Sequence, residues 1–385
     1  MKADLLDGKR RRFGGEFAAS GARSREKLAS TASAPRRTKG RERSSDDALL
    51  SCSVGIMAYN EEANIAEAIT SVLNQQVSCG KVAELIVVAS GCTDSTVEIV
   101  AGLAAVDPRI QLIVQEERAG KASAINLFIE AARSPILLMV GADTVVAYGS
   151  VGELLQHFKD PTVGMVGGHP VPVNDDETFI GHSVHLLWRL HDRIARRTPK
   201  LGEIVAFRNV ITGIPSDTAV DEISIEVAIN ELGYRLVYET RAFVYNKGPT
   251  TVADFLRQRR RIAAGHHEIA KQDGYVASTM SVWRIVQIGL RSVIWTLGAV
   301  ALEGTARGLG YYDFRRHRPH HIWETVSTTK TNIAEQVSAV RSTGRLPATR
   351  DDSNEPCGDV VVDLTASSRL SHLDRTSEEV RSSWG

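Results

Sequence analysis

Ser53-Val54-Gly55-Ile56-Met57-Ala58-Tyr59-Asn60-Glu61-Glu62 changes character at Tyr59, where an uncharged, mostly apolar run gives way to polar and acidic residues. A run that does not alternate reads as a strand buried on both faces, since a strand with one wet face alternates apolar and polar residues. The same pattern recurs downstream. Leu85 to Ala89, Ile110 to Val114 and Ile136 to Val140 read as further strands. Helical patterns are expected over Glu62 to Leu73, Ser95 to Ala105, Lys121 to Ala132 and Val151 to Phe158. Buried strands alternating with helices predict an α/β, doubly wound, mostly parallel sheet with helices on both faces.

Ligands of such sheets bind outside the carboxyl ends of the strands, so the residues after each apolar run carry the argument. They are polar: Tyr59-Asn60-Glu61-Glu62, then Ser90-Gly91-Cys92-Thr93-Asp94-Ser95, then Gly141-Ala142-Asp143-Thr144. No G-x-G-x-x-G follows the first strand and no G-x-x-x-x-G-K-[ST] occurs, which excludes the usual dinucleotide and P-loop signatures. Asp143 sits at the mouth of a buried strand, where a carboxylate needs a cation or hydrogen-bond donors. Mg²⁺ suits a single carboxylate because substrate phosphates and waters complete its octahedron. A cap on the following turn is the plainer use of the same residue.

Composition bounds these readings. Among 385 residues, 46 Lys plus Arg balance 46 Asp plus Glu, and 43% of the chain is hydrophobic, which excludes a uniform polyelectrolyte and a wholly disordered chain. Four cysteines without a C-x-x-C pair fit a reducing compartment. Residues 1–48 are basic and lack apolar periodicity or a secretory h-region, so they read as a disordered arm that is either merely solvated or attracted to anionic lipid. Few aromatics interleave with these charges, so nucleic acid is not expected as a partner.

The segment from Ser51 to about Gly265 resembles the family 2 inverting glycosyltransferases, which have the GT-A fold. Ala58-Tyr59-Asn60-Glu61-Glu62 is similar to that family's first-strand motif, and the resemblance assigns Ala58, Tyr59, Asn60 and Glu61 to the donor nucleotide. Ser90 to Thr96 resembles the D-G-S-T-D-G-T loop, with Asp94 toward the nucleoside and Ser90 in place of the leading Asp. Gly120-Lys121-Ala122 with Asn126 resembles the G-K-A-x-A-x-N helix start, which implies Lys121 as a phosphate contact. Gly141-Ala142-Asp143 stands where the family has D-x-D, so Asp143 is the implied metal residue and the implied cofactor is Mg²⁺ or Mn²⁺.

Asp221-Glu222 ahead of Gly233-Tyr234-Arg235 resembles the family's E-D segment before G-Y-R, with Glu222 at the position of the catalytic base and Asp221 as its alternative. On chemistry alone, an acidic pair in the first turn of a helix is also favoured by the helix dipole. Gln258-Arg259-Arg260-Arg261-Ile262 resembles Q-x-x-R-W, which implies that Gln258 and Arg261 act on the leaving group or acceptor. Ile262 replaces the aromatic residue, which argues against processive polymer synthesis. Between these motifs, the insert from Asn174 to Arg197 places Val184, Leu187, His191 and Ile194 on one helical face and His182, His185 and Arg189 on another, and the helix as a whole is a candidate acceptor contact.

The resemblance therefore implies transfer of a sugar, with inversion, from a nucleoside diphosphate sugar (a UDP-sugar by family habit) to a hydroxyl on a glycan or lipid-linked acceptor, as in polysaccharide biosynthesis. The expected organisation is a basic arm over 1–48, the GT-A domain over 49–270, an amphipathic, membrane-associated helical region over 271–330 and a largely disordered tail over 331–385. Within that region, Ser281 to Leu302 carries Arg284 and Arg291 and is too interrupted for a confident spanning helix, so an interfacial helix flanked by Trp283 and Trp295 is expected. A helix covering the catalytic core is the alternative. The expected location is the cytoplasmic face of the membrane, or the cytoplasm if the chain is soluble. Two rival functions share these features: a catalytically degenerate nucleotide-sugar binding or scaffold protein, and a nucleotidyltransferase, against which the acidic loop after the first strand argues.

Overall fold

A computed structural model describes residues 50–75, 77, 80–218, 220–272, 293–316 and 327–342. The expectations for 1–48, for Ser281 to Arg291 and for the tail beyond 342 lie outside the described residues. The uncharged runs form β1 (Leu50–Ala58), β2 (Gly80–Ser90), β3 (Ile110–Gln115) and β4 (Ile136–Gly141), connected by α1 (Ile65–Leu73), α2 (Thr96–Val106) and α3 (Lys121–Ala131). β5 (Thr144–Val146), α4 (Ser150–Leu155), β6 (Val163–Pro172), α5 (Phe179–Ala195), β7 (Ile204–Arg208), α6 (Asp221–Glu231) and β8 (Arg235–Asn246) follow. The helix expected over Val151 to Phe158 is shorter, and Gln156–Lys159 tightens into a 3₁₀ turn. The helix expected from Glu62 begins at Ile65, after a turn in which the Asn64 and Ile65 amides both donate to the Glu61 carbonyl.

The eight strands form one sheet in the order β3-β2-β1-β4-β7-β6-β8-β5. β3, β2, β1 and β4 are parallel, as their apolar runs predict. Beyond β4 the sheet is mixed: β7 is antiparallel to β4 and β6, β8 runs parallel to β6, and β5 is antiparallel to β8. Both faces are covered. Leu85 and Val87 of β2 join a core with α1, whereas Ile86 and Val88 join another with Phe128 of α3. Gly55 makes the second packing possible, because a Cβ there would lie 2.6 Å from the Phe128 ring.

Register delivers the site. Ala58 pairs with Ala89 and Met57 with Gly141, so β1, β2 and β4 end at one edge of the sheet. Ile204 pairs with Val140 and Asn246 with Thr144, which brings the start of antiparallel β7 and the end of β8 to the same edge.

Two long helices, α7 (Val252–Gln272) and α8 (Val293–Arg315), pack on each other and on α5. Gly310 of α8 lets the helices approach, since a Cβ would meet the Arg260 carbonyl at 2.6 Å. Among the described residues no helix is long and apolar enough to cross a membrane. The region expected to be a disordered tail opens instead with α9 (Ile333–Ser342), whose Ile333 and Val337 pack against Val145 and Tyr245. Four-residue spacing places both on one helical face.

Candidate active site

A cavity of about 410 Å³ opens at this edge and is closed from above by α5 and α7. Of the residues singled out in the sequence, Ala58, Tyr59, Glu61, Lys121 and Asp143 line it from the sheet side. Glu222, Gln258 and Arg261 line it from the helices. Val184, Leu187 and His191 of the insert also face it, whereas Ile194 of the same helical face packs with Leu190 and Val300. Asn60, Asp94 and Asp221 are not in its wall.

Asn60 and Asp94 instead stitch the loops after β1 and β2 together. Asn60 adopts φ 51°, a backbone conformation that asparagine tolerates better than most residues. Its Oδ1 accepts from the Thr93 amide at 2.8 Å and its Nδ2 donates to Thr93 Oγ1 at 3.1 Å. Asp94 accepts from the Glu62 amide at 3.1 Å and from Thr96 Oγ1 at 2.6 Å, while Glu62 accepts from the Ser95 amide. These bonds shape the rim that holds Tyr59. Arg118, which follows β3, lies 3.8 Å from the Tyr59 ring centroid and lines the cavity with it.

Three carboxylates form one end of the cavity. Asp143 follows β4, Glu203 precedes β7 and Glu61 follows β1. Glu61 is pushed up to about 7 by burial and by Asp143, which outweigh its bonds to Lys330 and Asn64. Lys330 Nζ binds the Glu61 carboxylate and donates to the Tyr59 carbonyl at 3.0 Å. Glu203 holds φ 62° and is pushed up to about 7 by burial, Asp143 and Glu222. Asn246 hydrogen-bonds Glu203, and its buried Oδ1 has no partner. Carboxylates that repel one another in a partly dry site favour a cation. Among the described residues no group of three or more His, Cys, Asp or Glu side chains is arranged to hold a metal ion. A divalent ion here would complete its shell from substrate oxygens and water, which the donor set permits.

At the centre, Lys121 opens α3 and reaches the acidic pair that opens α6. Its Nζ is 2.8 Å from Glu222 Oε1 and 3.3 Å from Asp221 Oδ2. The lysine expected at the phosphates is thus occupied by carboxylates. Asp221 is fully buried and pushed up to about 6 by burial and by Glu222, against the pull of Lys121. Glu222 keeps access to the cavity. Burial would raise it, but Lys121 and Lys200 outweigh burial and hold it below the ordinary carboxylate value, so it is ionised at neutral pH.

Arg118, Lys200, Glu203, Lys330 and Trp188 are cavity residues that reading by motif missed. Arg118 was reachable, since the rule that selects residues after parallel strands points to it. Glu203 precedes an antiparallel strand, and Lys330 stands 269 residues from Glu61. Neither position carries a local signal.

Two family models match the chain: glycosyl transferase family 2 over residues 53–216 and glycosyl transferase family group 2 over residues 136–323. A poly-beta-1,6-N-acetyl-D-glucosamine synthase of Staphylococcus aureus is 26% identical over 245 residues, covering 60% of this chain and 57% of the relative. Its counterpart from Staphylococcus epidermidis is 23% identical over 259 residues, covering 62% and 61%. The chain thus spans less than two thirds of the length of these curated relatives. A solved mannosyltransferase from Pyrobaculum calidifontis, in complex with GDP-Man and Mn²⁺, is 21% identical, with 84% of this chain and 93% of that one covered and a TM-score of 0.48. The two family models together run from the first strand motif through Gln258 and Arg261, and the chain carries a family 2 glycosyltransferase domain over that stretch.

Proposed function

We propose that the chain transfers a sugar from a nucleoside diphosphate sugar to a hydroxyl group of an acceptor, with inversion at the anomeric carbon. The observation that carries this reading is the cavity itself, which Glu222 lines together with Asp143, Glu203 and Glu61. Glu222 takes the proton of the acceptor hydroxyl as that oxygen bonds to the anomeric carbon. The bond from that carbon to the diphosphate oxygen breaks, and the nucleoside diphosphate leaves. Tyr59 and Arg118 frame the nucleotide end, with the stitched loops of Asn60 and Asp94 behind them. Gln258 and Arg261 face the departing diphosphate, where a guanidinium pairs with two oxygens at once. Asp143 is the residue that would hold Mg²⁺ or Mn²⁺, whose chemistry is to neutralise the diphosphate as it leaves. A uridine donor is the proposed class.

Replacing Glu222 by Gln tests the assignment. General-base catalysis contributes about 10²- to 10⁴-fold, so kcat is expected to fall by that order while titration calorimetry still detects nucleotide-sugar binding. Transfer at the wild-type rate in Glu222→Gln would overturn it.

A further inference from the structure

The carboxylate end of the cavity is built around a residue with no side chain. Gly141 closes β4 and stands where the resembled motif has its first Asp. A Cβ on Gly141 would lie 3.1 Å from Asp143 Oδ1 and 2.9 Å from Thr144 Cγ2. The Asp143 carboxylate thus occupies the room that an acidic side chain at Gly141 would need. The antiparallel ladder between β4 and β7 runs from Ile136 opposite Arg208 to Val140 opposite Ile204. One further step along both strands sets Gly141 against Glu203. Residues opposite each other in such a ladder are close neighbours, about 4.5–5.5 Å apart. A carboxylate therefore stands across the strand gap from the position where β4 offers none, and it lines the cavity together with Asp143.

An unsatisfied oxygen stands beside these two acids. Asn246 closes β8 and pairs with Thr144, the residue after Asp143. It lines the cavity, is only 6% exposed and hydrogen-bonds Glu203. A carboxylate accepts, so the amide nitrogen is the donor in that bond, and the amide oxygen is left over. That oxygen, Oδ1, is buried without a partner. A buried acceptor with no donor is unfavourable, and a cation removes the deficit. The lysines of this part of the cavity are engaged with other acids: Lys330 with Glu61, and Lys121 with Glu222 and Asp221. Two carboxylates and an amide carbonyl are hard oxygen donors, a set that suits Mg²⁺ or Mn²⁺.

We infer that Glu203 and Asn246 join Asp143 as ligands of a divalent cation, Glu203 supplying from β7 the second carboxylate that Gly141 lacks and Asn246 supplying a neutral oxygen from β8. This rests on the proposed transfer reaction only in giving the cation a diphosphate to hold.

The test is titration of the full chain with Mn²⁺, alone and with UDP present, read by loss of the free-ion electron paramagnetic resonance signal. Glu203→Gln and Asp143→Ala are each expected to weaken Mn²⁺ binding about tenfold and Asn246→Asp to tighten it about tenfold, because affinity for such ions follows the charge of the ligand set. The double variant Glu203→Gln with Asn246→Asp keeps the wild-type charge and is expected to recover wild-type affinity, which a merely structural role for either residue would not produce. Glu203→Gln and Asn246→Asp preserve side-chain size, so both are expected to fold, and their metal-free thermal midpoints are checked first. Wild-type affinity in Glu203→Gln overturns the inference, and so does a wild type that takes up no Mn²⁺ with or without UDP. The same titrations separate the two claims. The expected pattern with Mn²⁺ alone, in a protein that binds neither UDP nor a UDP-sugar, upholds the cation site and overturns the donor reading. Sugar transfer that proceeds equally well without divalent ions, in a protein that binds no Mn²⁺, upholds the donor reading and overturns the cation site.

Discussion

Asp221 and Glu222 are chemically near-identical neighbours that the fold separates into a buried acid and a cavity-facing one. Lys121 pairs with both, its ammonium 2.8 Å from Glu222 and 3.3 Å from Asp221. Lys121→Met is expected to raise the Glu222 pKa, because the cation favours its ionised form. The acid limb of the pH profile of kcat/KM then moves to higher pH, and steady-state rates across pH 4 to 8 read the shift. Glu203 gives a prediction for stability. Its folded-state pKa of about 7 lies above the ordinary 4.5, so its contribution is fully present below 4.5 and is lost as pH rises through 7. In divalent-free buffer the thermal midpoint of the wild type is expected to fall between pH 5 and 8. Glu203→Gln flattens that fall, and Glu61, raised for the same reasons, leaves a residual slope.

Elements meet through positions where a side chain would not fit. Gly55 is the sharpest case, because α3 crosses β1 with the Phe128 ring directly over it. Gly55→Val is expected to cost about 1–3 kcal/mol in urea unfolding, the usual range for overpacking a filled core. Activity is expected to fall further than stability, since any shift of α3 carries Lys121 away from the acidic pair. Gly310 plays the same part between α7 and α8. That close approach sets Arg259 on α7 beside Glu303 on α8, so this ion pair is a product of helix packing.

At the scale of the whole chain, residues 327–342 return to the sheet at its β5 edge and to the loop after β1. Thr328 donates to Asp254, Lys330 meets Glu61, and the Ile333 amide donates to Asn64 at 3.0 Å. A chain ending at residue 326 is expected to uncover Val145, Ala147 and Tyr245 and to melt at a lower temperature than the full chain, as read by differential scanning calorimetry. By itself the sequence determined the four parallel strands, their helices and the polar residues at the strand ends. Burial on two faces leaves an uninterrupted apolar run, and a helix leaves a 3.6-residue period, so both are written locally. It also named Glu222 and Asp143, which the fold brings to one cavity. Only the tertiary structure decided that Asn60 and Asp94 brace the loops, that Lys121 serves the acidic pair, and that Glu203, Lys200 and Lys330 belong to the site. The physical reason is that their environments come from partners in other elements, set by the order of β7 and β8 in the sheet and by the packing of α7 on α8. A charged residue's burial, partner and pKa are properties of what surrounds it in space, and its sequence neighbours do not encode them.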